Sequence, residues 1–493
     1  MHRLLPGARR VMTRDEALAL GNKLLGLLDE ESVGVTIEHS ARAITKVSSQ
    51  STTTDDGDRV RITFKSQFGS GIPVEITTNQ LNDATLRHVI DRTHAMMPHK
   101  LSSSEWEPVD YSDLTPFTYN ARDVTPVALW HESTAQAMET ARGEAVPAML
   151  ERVHSAGLTG AATVGLMTRS ILHLYRQGLT AFAEETDAEV TMTARIPDGK
   201  ASGWNGEANR DWSKLTPTTV ADRAIDFAKR SKGMVALEPG RRVAILGPAA
   251  VGQLVQAMAF AFDWLLTNSQ DSPGTPFTFV THKSTGRHTR FGMRVFDPRI
   301  MMVSDPADPM GGFSPFFESW GIEWDVLGFP TPAATWIDRG VLKQFATRVP
   351  EALDRNVPTC DQPHSVHLFP APGTPTATVE EMIANCAEGV YVNRFSSVKV
   401  LDHPTGMMSG VTRDGCFLVK DGKISKPIKN LRFTDSPFYG LNKLEMIGTP
   451  ERVAFGYQSS REQSDWRHWP ALPVIVPPMM IQDFNFSALA DAV

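Results

Sequence analysis

The stretch SGVTRDGCFLVKDGKISKPIKN, from Ser409 to Asn430, constrains the fold most. Apolar and polar residues alternate on both sides of the dipeptide Asp421-Gly422, which readily adopts the positive φ angles of a two-residue turn. Alternation places Cys416 on one face of the first strand and Phe417 on the other. The stretch therefore predicts a β-hairpin, and nothing in it indicates catalysis.

The rest of the chain predicts an α+β protein in three parts. Residues 13–97 begin with a helix-capping box and continue with alternating strands and a second helix, which indicates an N-terminal α+β domain. Residues 98–124 are rich in Ser, Pro and Asp and predict a linker. We expect a central α+β domain at 125–235, so that antiparallel strands and helices form sandwich-like layers in this half. Residues 238–486 predict a large β-rich C-terminal domain, with one helix near its start at 249–268.

Composition narrows the class of protein. The chain has 493 residues, 41% of them hydrophobic and 21% charged, and a net charge of -7. A nucleic-acid-binding protein normally needs a basic face, so we expect no nucleic-acid partner. Three cysteines are too few, and odd in number, for a disulfide framework, which indicates a reducing cytoplasm. Pro248 and Asp263 interrupt the most apolar segment, so we expect no membrane span.

Two short motifs carry metal-binding residue types without a complete ligand set. His131-Glu132 begins like a zinc-binding His-Glu-x-x-His helix, but Ala occupies position 135, where the second His is needed. We interpret it as part of an amphipathic helix. Asp305 and Asp308 lack the later Gly and Glu of a calcium loop, so we expect a turn there.

A third cluster leaves a metal-site alternative open. Cys360, His364 and His367 lie within eight residues, and thiolate and imidazole are the ligands that zinc prefers. Only three ligands are local, and Pro363 indicates a loop. The motifs of a nucleotide-binding loop and of a serine nucleophile elbow are missing. The residue chemistry alone therefore indicates a multidomain α+β protein without an evident active site.

Several longer stretches match one known family in their order and spacing. They are ITTNQLNDATLRHVIDRTHAMM, RVAILGPAAVGQLVQAMAFAF, TPAATWIDRGVLKQF, EGVYVNRFSSVKVLDHPTGMMSGVTRDGCFLVKDGKISKPIKN and WPALPVIVPPMMIQDF. Together they resemble the TldD/PmbA family over nearly the whole chain. The resemblance implies a metallopeptidase that acts as a pair of one catalytic and one non-catalytic subunit. The catalytic subunit holds zinc with His-Glu-x-x-x-His on a helix and a later Cys, and the Glu is the base.

The resemblance places non-ligating residues at the zinc motif. Gln256 falls at the first His, Ala257 at the Glu and Ala261 at the second His. No cysteine follows Cys416, and the acidic loop of the family is reduced to Asp325 and its neighbours. The resemblance therefore implies the non-catalytic PmbA/TldE-like branch, with no cofactor bound by this chain and zinc in the partner subunit.

The expected partners are a TldD-type catalytic subunit, or a second copy in a homodimer, and an unstructured peptide. Two alternatives stay open: a stand-alone homodimeric binding or scaffold protein, and a tailoring hydrolase that uses Cys360, His364 and His367. We expect the partner or cavity contacts in an aromatic segment and in the Pro-rich tail 469–486. The aromatic segment contributes Phe316, Phe317, Trp320, Trp324 and Asp325.

Overall fold

The structure is a computed structural model that describes most of the chain. Its described residues are 11–27, 33–48, 51–66, 74–77, 80–102, 122–124, 129–176, 178–268, 272–280, 287–305, 308, 310, 333–347, 365–455 and 473–490. Within these ranges, no helix is both long enough and apolar enough to cross a membrane. Mixed sheets and helices, with a strand-rich C-terminal half, confirm the α+β class.

One seven-stranded sheet organises the N-terminal half. Its order is β3-β2-β1-β5-β6-β4, with β7 also paired to β6, and the pairs are antiparallel except β4 with β6. The strands are β1 (Val33–Val47), β2 (Thr52–Ser66), β3 (Val74–Thr77), β4 (Arg122–Val124), β5 (Thr159–Tyr175), β6 (Leu179–Arg195) and β7 (Ser202–Asn209). Because β1 pairs with β5 along 14 residues, the segments predicted as an N-terminal and a central domain share this sheet.

Helices cover the apolar face of this sheet. The helix α1 (Arg14–Leu25) begins with the expected capping box, in which Thr13 and Glu16 bond each other's backbone amides. Side chains such as Ile37 and Leu172 pack beneath α1 and α2, and Val164 and Val190 pack beneath α4 and α5. The remaining helices of this half are α2 (Asp83–Ser102), α3 (Glu132–Ala137), α4 (Ala141–Ser155) and α5 (Pro217–Arg230). Since α2 continues to Ser102, a linker does not begin at residue 98.

Five strands of the C-terminal half close into a ring. The path β15-β8-β22-β18-β16 is completed by pairing of β15 with β16, while β17 extends it from β16 and β19 from β22. The strands are β8 (Gly240–Leu246), β15 (Glu388–Asp402), β16 (Met407–Lys420), β17 (Lys423–Pro427), β18 (Leu431–Asp435), β19 (Leu444–Ile447) and β22 (Met479–Leu489). A ring of this kind leaves few free strand edges.

A six-stranded sheet packs beside the ring. Its order is β13-β12-β11-β14-β21-β20, and a small β9–β10 pair stands apart. The strands are β9 (Thr278–Val280), β10 (Arg287–Thr289), β11 (Ile300–Ser304), β12 (Ala334–Asp338), β13 (Val341–Leu342), β14 (Val366–Pro370), β20 (Glu451–Arg452) and β21 (Val474–Val476). The helices here are α6 (Pro248–Ala257), α7 (Trp264–Asn268), α8 (Val379–Ala384) and α9 (Pro437–Gly440). One apolar cluster joins this sheet, the ring and α6.

The hairpin of the opening stretch is confirmed. Asp421 and Gly422 have φ angles of 50° and 74° and connect β16 to β17, with Lys420 opposite Lys423. Cys416 and Phe417 point into different apolar clusters on the two sides of β16. β16 is therefore a wall of the ring and is largely buried on both faces, whereas β17 extends from its edge and is exposed or half-buried.

Candidate functional site

The helix at which the resemblance places the zinc motif is broken inside that motif. α6 ends at Ala257, a 3-10 turn follows at Ala259–Phe262, and α7 starts at Trp264. The expected continuous helix over 249–268 is therefore wrong. Asp263 caps the new helix, because its side chain accepts a hydrogen bond from the Leu266 amide at 2.9 Å.

The three motif positions lie on the two sides of this break and differ in their exposure to solvent. Gln256 is exposed and Ala257 half-buried, whereas Ala261 has 0% exposure within the apolar cluster. The Ala261 carbonyl accepts a hydrogen bond from the Thr267 hydroxyl at 3.1 Å. Since a side chain without exposed surface cannot line a pocket open to solvent, these positions do not form one ligand site. The residues present do not fit a zinc ion.

Close packing connects α6 to the segment 451–455. A Cβ at Gly252 would lie 2.9 Å from a methyl carbon of Val453, a distance that only glycine avoids. On the opposite side of this segment, a Cβ at Gly206 of β7 would lie 2.9 Å from the Ala454 Cβ. Residues 451–455 are therefore held between the motif helix and the N-terminal sheet.

Polar contacts fix the same segment to β6. Arg452 Nη2 donates to Asp187 Oδ2 at 2.5 Å, and both side chains are buried. The Phe455 amide donates to Glu189 Oε2 at 3.2 Å. The two halves of the chain are thus joined by a buried ion pair and a charge-assisted hydrogen bond.

Four further buried charges alternate across the sheet face that carries Asp187. We name Glu38, Arg169, Glu185 and Arg210 the charged ladder. Arg169 donates to Glu38 at 2.6 Å and to Glu185 at 3.0 Å, and Arg210 donates to Glu185 at 3.2 Å. Burial alone would raise the pKa of Glu185, but the Arg210 and Arg169 guanidinium groups outweigh it, so that the pKa is lowered. Glu185 therefore stays ionised inside the protein.

Some polar atoms beside the charged ladder are not satisfied by the protein. Within the described residues, Asp187 Oδ1, Arg210 Nε and Arg452 Nε are buried without a hydrogen-bond partner. Buried polar atoms are normally hydrogen-bonded. An atom without a partner in the protein therefore needs another explanation, such as an ordered water or a bound polar group. These three atoms are enclosed by the protein, so a ligand from solvent does not reach them in this structure.

The sequence contains a signal for this face that our interpretation missed. Glu185, Asp187 and Glu189 recur at every second position of β6, and Arg169 of β5 lies opposite Glu185. Alternating charges on a strand usually indicate a solvated face. A buried ladder differs from a solvated face because residues of opposite charge lie on the neighbouring strands. A single sequence does not show which strands are neighbours, so this signal could not be used.

The predicted metal-site residues are scattered or lie outside the described residues. His131 precedes α3, with its Nδ1 3.9 Å from Asp211 Oδ2. His367 Nδ1 contacts Asp308 Oδ2 at 2.6 Å, and the Asp308 amide donates to the Asp305 carbonyl at 3.1 Å. Cys360 and His364 lie outside the described residues. In the parts of the chain that the structure describes, no group of three His, Cys, Asp or Glu residues could hold a metal ion.

The structure describes only one of the two segments that we predicted to contact a partner or line a cavity. Phe316, Phe317, Trp320, Trp324 and Asp325 lie outside the described residues. In the tail, Val474–Val476 and most of Met479–Phe486 are buried as β21 and β22. The prediction of a surface contact is wrong for this part of the tail, because β22 fills the ring between β8 and β18.

Solved structures share this architecture. A protein described as a proposed modulator of DNA gyrase from Bacteroides thetaiotaomicron matches with a TM-score of 0.71 and 15% identity, covering 96% of this chain and 99% of that one. A second proposed gyrase modulator, from Thermotoga maritima, has a TM-score of 0.71, 14% identity and coverages of 95% and 99%. TldE from Thermococcus kodakarensis has a TM-score of 0.69, 13% identity and coverages of 96% and 99%. At these identities the likeness shows a common fold.

The family follows from the sequence of the C-terminal half. No curated protein matches the chain. A family model described as the PmbA/TldA metallopeptidase C-terminal domain matches residues 239–488, slightly more than half of the 493 residues. The matched region contains the strand ring, the motif helix and the segment 451–455. The chain belongs to the PmbA/TldD family.

Proposed function

We propose that the chain is a non-catalytic, PmbA/TldE-like subunit of a TldD-type metallopeptidase complex. One observation carries the proposal: the zinc-motif positions hold Gln256, Ala257 and Ala261, and α6 ends between them with Ala261 buried. An amide and two methyl groups cannot replace two imidazoles and a carboxylate at a tetrahedral zinc site. The catalytic metal then belongs to the partner.

In this proposal the chain contributes a binding surface to a cytoplasmic heterodimer that cleaves unstructured peptides. The rival functions are a homodimeric scaffold and a hydrolase that uses Cys360, His364 and His367.

Zinc content and peptidase activity, measured for the isolated chain and for its co-expressed complex with a TldD-type subunit, test the proposal. We expect no stoichiometric zinc and no cleavage of an unstructured peptide by the isolated chain, and about one zinc per complex with cleavage. About one zinc per isolated chain after mild chelation would contradict it. Cleavage by the isolated chain that His367→Ala abolishes would establish the hydrolase instead. A stable homodimer that ignores the TldD-type subunit would favour the scaffold.

A further inference from the structure

The imidazole of His39 connects the segment before α1 to the N-terminal sheet. His39 alternates with Ile37 on the face of β1 that the helices cover, and its side chain is 11% exposed. Its Nδ1 accepts a hydrogen bond from the Met12 amide at 3.0 Å, and its Nε2 lies 2.6 Å from Asp58 Oδ1 on β2. One nearly buried ring therefore holds a backbone amide on one side and a carboxylate on the other.

These two contacts fix the protonation of the His39 ring. A backbone N–H can only donate, so the Nδ1 atom that accepts from Met12 carries a lone pair and no proton. The proton of the neutral ring is therefore on Nε2, which donates to the Asp58 carboxylate. Both neighbours are satisfied only while His39 is neutral.

A second proton on His39 would bind at Nδ1, the atom that the Met12 amide needs. An imidazolium has an N–H donor at each nitrogen, so the Met12 amide would face another donor and lose its acceptor. The bond to Asp58 would remain and become stronger, because both of its partners would be charged. Protonation would therefore leave His39 bonded to Asp58 alone.

The surroundings of His39 contain one charged group in direct contact with the ring. Arg142 of α4 forms an ion pair with Asp56 at 2.6 Å, whereas the Asp58 carboxylate contacts His39 and would be the counter-ion of an imidazolium. The titratable and charged groups on the elements packed around the ring are Asp56 and Asp58 on β2, Arg14, Asp15 and Glu16 on α1, and Arg142 on α4; the residue of β5 opposite His39 is the uncharged Ser170.

The sheet side of this contact is the more firmly held. His39 and Asp58 belong to β1 and β2, which pair along all 15 residues of each strand. Met12 belongs to no strand, and the adjacent Val11 is held by packing in one apolar cluster with Ala41. The part that would move on protonation is therefore the segment that contains Val11 and Met12.

We propose that His39 is a proton-controlled latch for the segment before α1. While His39 is neutral, the Met12 amide is bound and Val11 covers its part of the sheet; a proton from solvent that binds the Nδ1 lone pair releases both residues. The helix α1 can stay formed, because its capping box joins Thr13 to Glu16 without His39. The inference concerns this chain alone and does not depend on the proposed function.

Hydrogen exchange of the full chain tests the latch, with mass spectrometry and fragmentation that resolves the Met12 amide. We expect protection of this amide, corrected for its intrinsic exchange rate, to fall about 10-fold or more between about pH 8 and pH 5, the range in which histidine side chains generally change charge. His39→Gln can accept from Met12 and donate to Asp58 but takes up no proton, so its protection should be equal at both pH values. The matched control His131→Gln removes a half-exposed histidine near Asp211 and should keep the wild-type fall. Asp58→Asn removes the counter-ion, so the fall should begin at a lower pH.

Three results would overturn the latch. The first is equal protection of the wild-type Met12 amide at both pH values. The second is a fall of the wild-type size in His39→Gln, because another group would then be responsible. The third is a parallel loss of protection along β1, which would show general unfolding in acid. If circular dichroism shows that His39→Gln is unfolded, Asp58→Asn decides: a fall that begins at the wild-type pH contradicts the role of His39.

Discussion

The buried pair Arg452–Asp187 offers a sharp test of how the two halves are joined. Its side chains are 5% and 2% exposed, and their closest atoms lie 2.5 Å apart. Arg452→Met keeps much of the apolar length but removes the charge, which leaves the Asp187 carboxylate buried alone. A buried charge without a partner has lost its hydration and has no Coulomb energy in return.

The expected magnitude follows from the geometry. With the charge centres about 4 Å apart and an effective dielectric constant of about 20, the lost attraction is about 4 kcal/mol. Removal of one partner of a buried pair typically costs about 3–5 kcal/mol. We therefore expect Arg452→Met to lower the free energy of unfolding by that amount. Adding Asp187→Asn should restore most of it, because the neutral amide costs less to bury.

Urea titrations followed by tryptophan fluorescence measure the effect. The matched control is Arg152→Met, which breaks an exposed pair with Asp222 whose side chains are 49% and 52% exposed. That change should cost less than about 1 kcal/mol. If Arg452→Met costs no more than Arg152→Met, or if Asp187→Asn fails to rescue it, the buried pair does not stabilise the junction as argued.

Three further predictions concern strain, burial and charge. Gly340→Ala should lower the melting temperature more than Gly373→Ala. Both glycines have positive φ, but only at Gly340 would an added Cβ lie close to a carbonyl oxygen, at 2.3 Å. Equal losses of melting temperature in the two variants would contradict this reasoning. Burial raises the pKa of Cys416 to about 12, so iodoacetamide at pH 8 should label it only in urea, as peptide mass spectrometry would show. A lowered folded-state pKa for Glu185 gives stability that is present above its unfolded value near 4.3 and lost as pH falls. Melting temperatures should therefore drop less steeply between pH 5 and pH 3 in Glu185→Gln than in the wild type.

Local signals in the sequence predicted local structure well. The Asp421-Gly422 turn and the Thr13 capping box are both present, because each depends on a few adjacent residues. The strand and helix at the start of the C-terminal half also form as expected, although the helix is shorter. Apolar residues occupy nearly every face of α6. The hydrophobic periodicity of the sequence therefore did not indicate that the helix stops after Ala257.

Long-range pairing was not predictable from one sequence. The 14-residue ladder between β1 and β5 joins Gly34 to Tyr175, and no local pattern identifies so distant a partner. The charged ladder was missed for the same reason, since Glu38 and Arg169 lie 131 residues apart. The zinc-motif positions came from resemblance, and their separation by a helix break appears only in the folded chain.

The strand ring has a consequence for synthesis of the protein. β22, the last strand that the structure describes, lies between β8 and β18, and β8 begins more than 230 residues earlier, at Gly240. While the ribosome is still producing this region, β8 and β18 each present an open edge, which is a template for aggregation. A nonsense mutation upstream of Met479 would leave both edges permanently unpaired, so even a late truncation should yield an insoluble product.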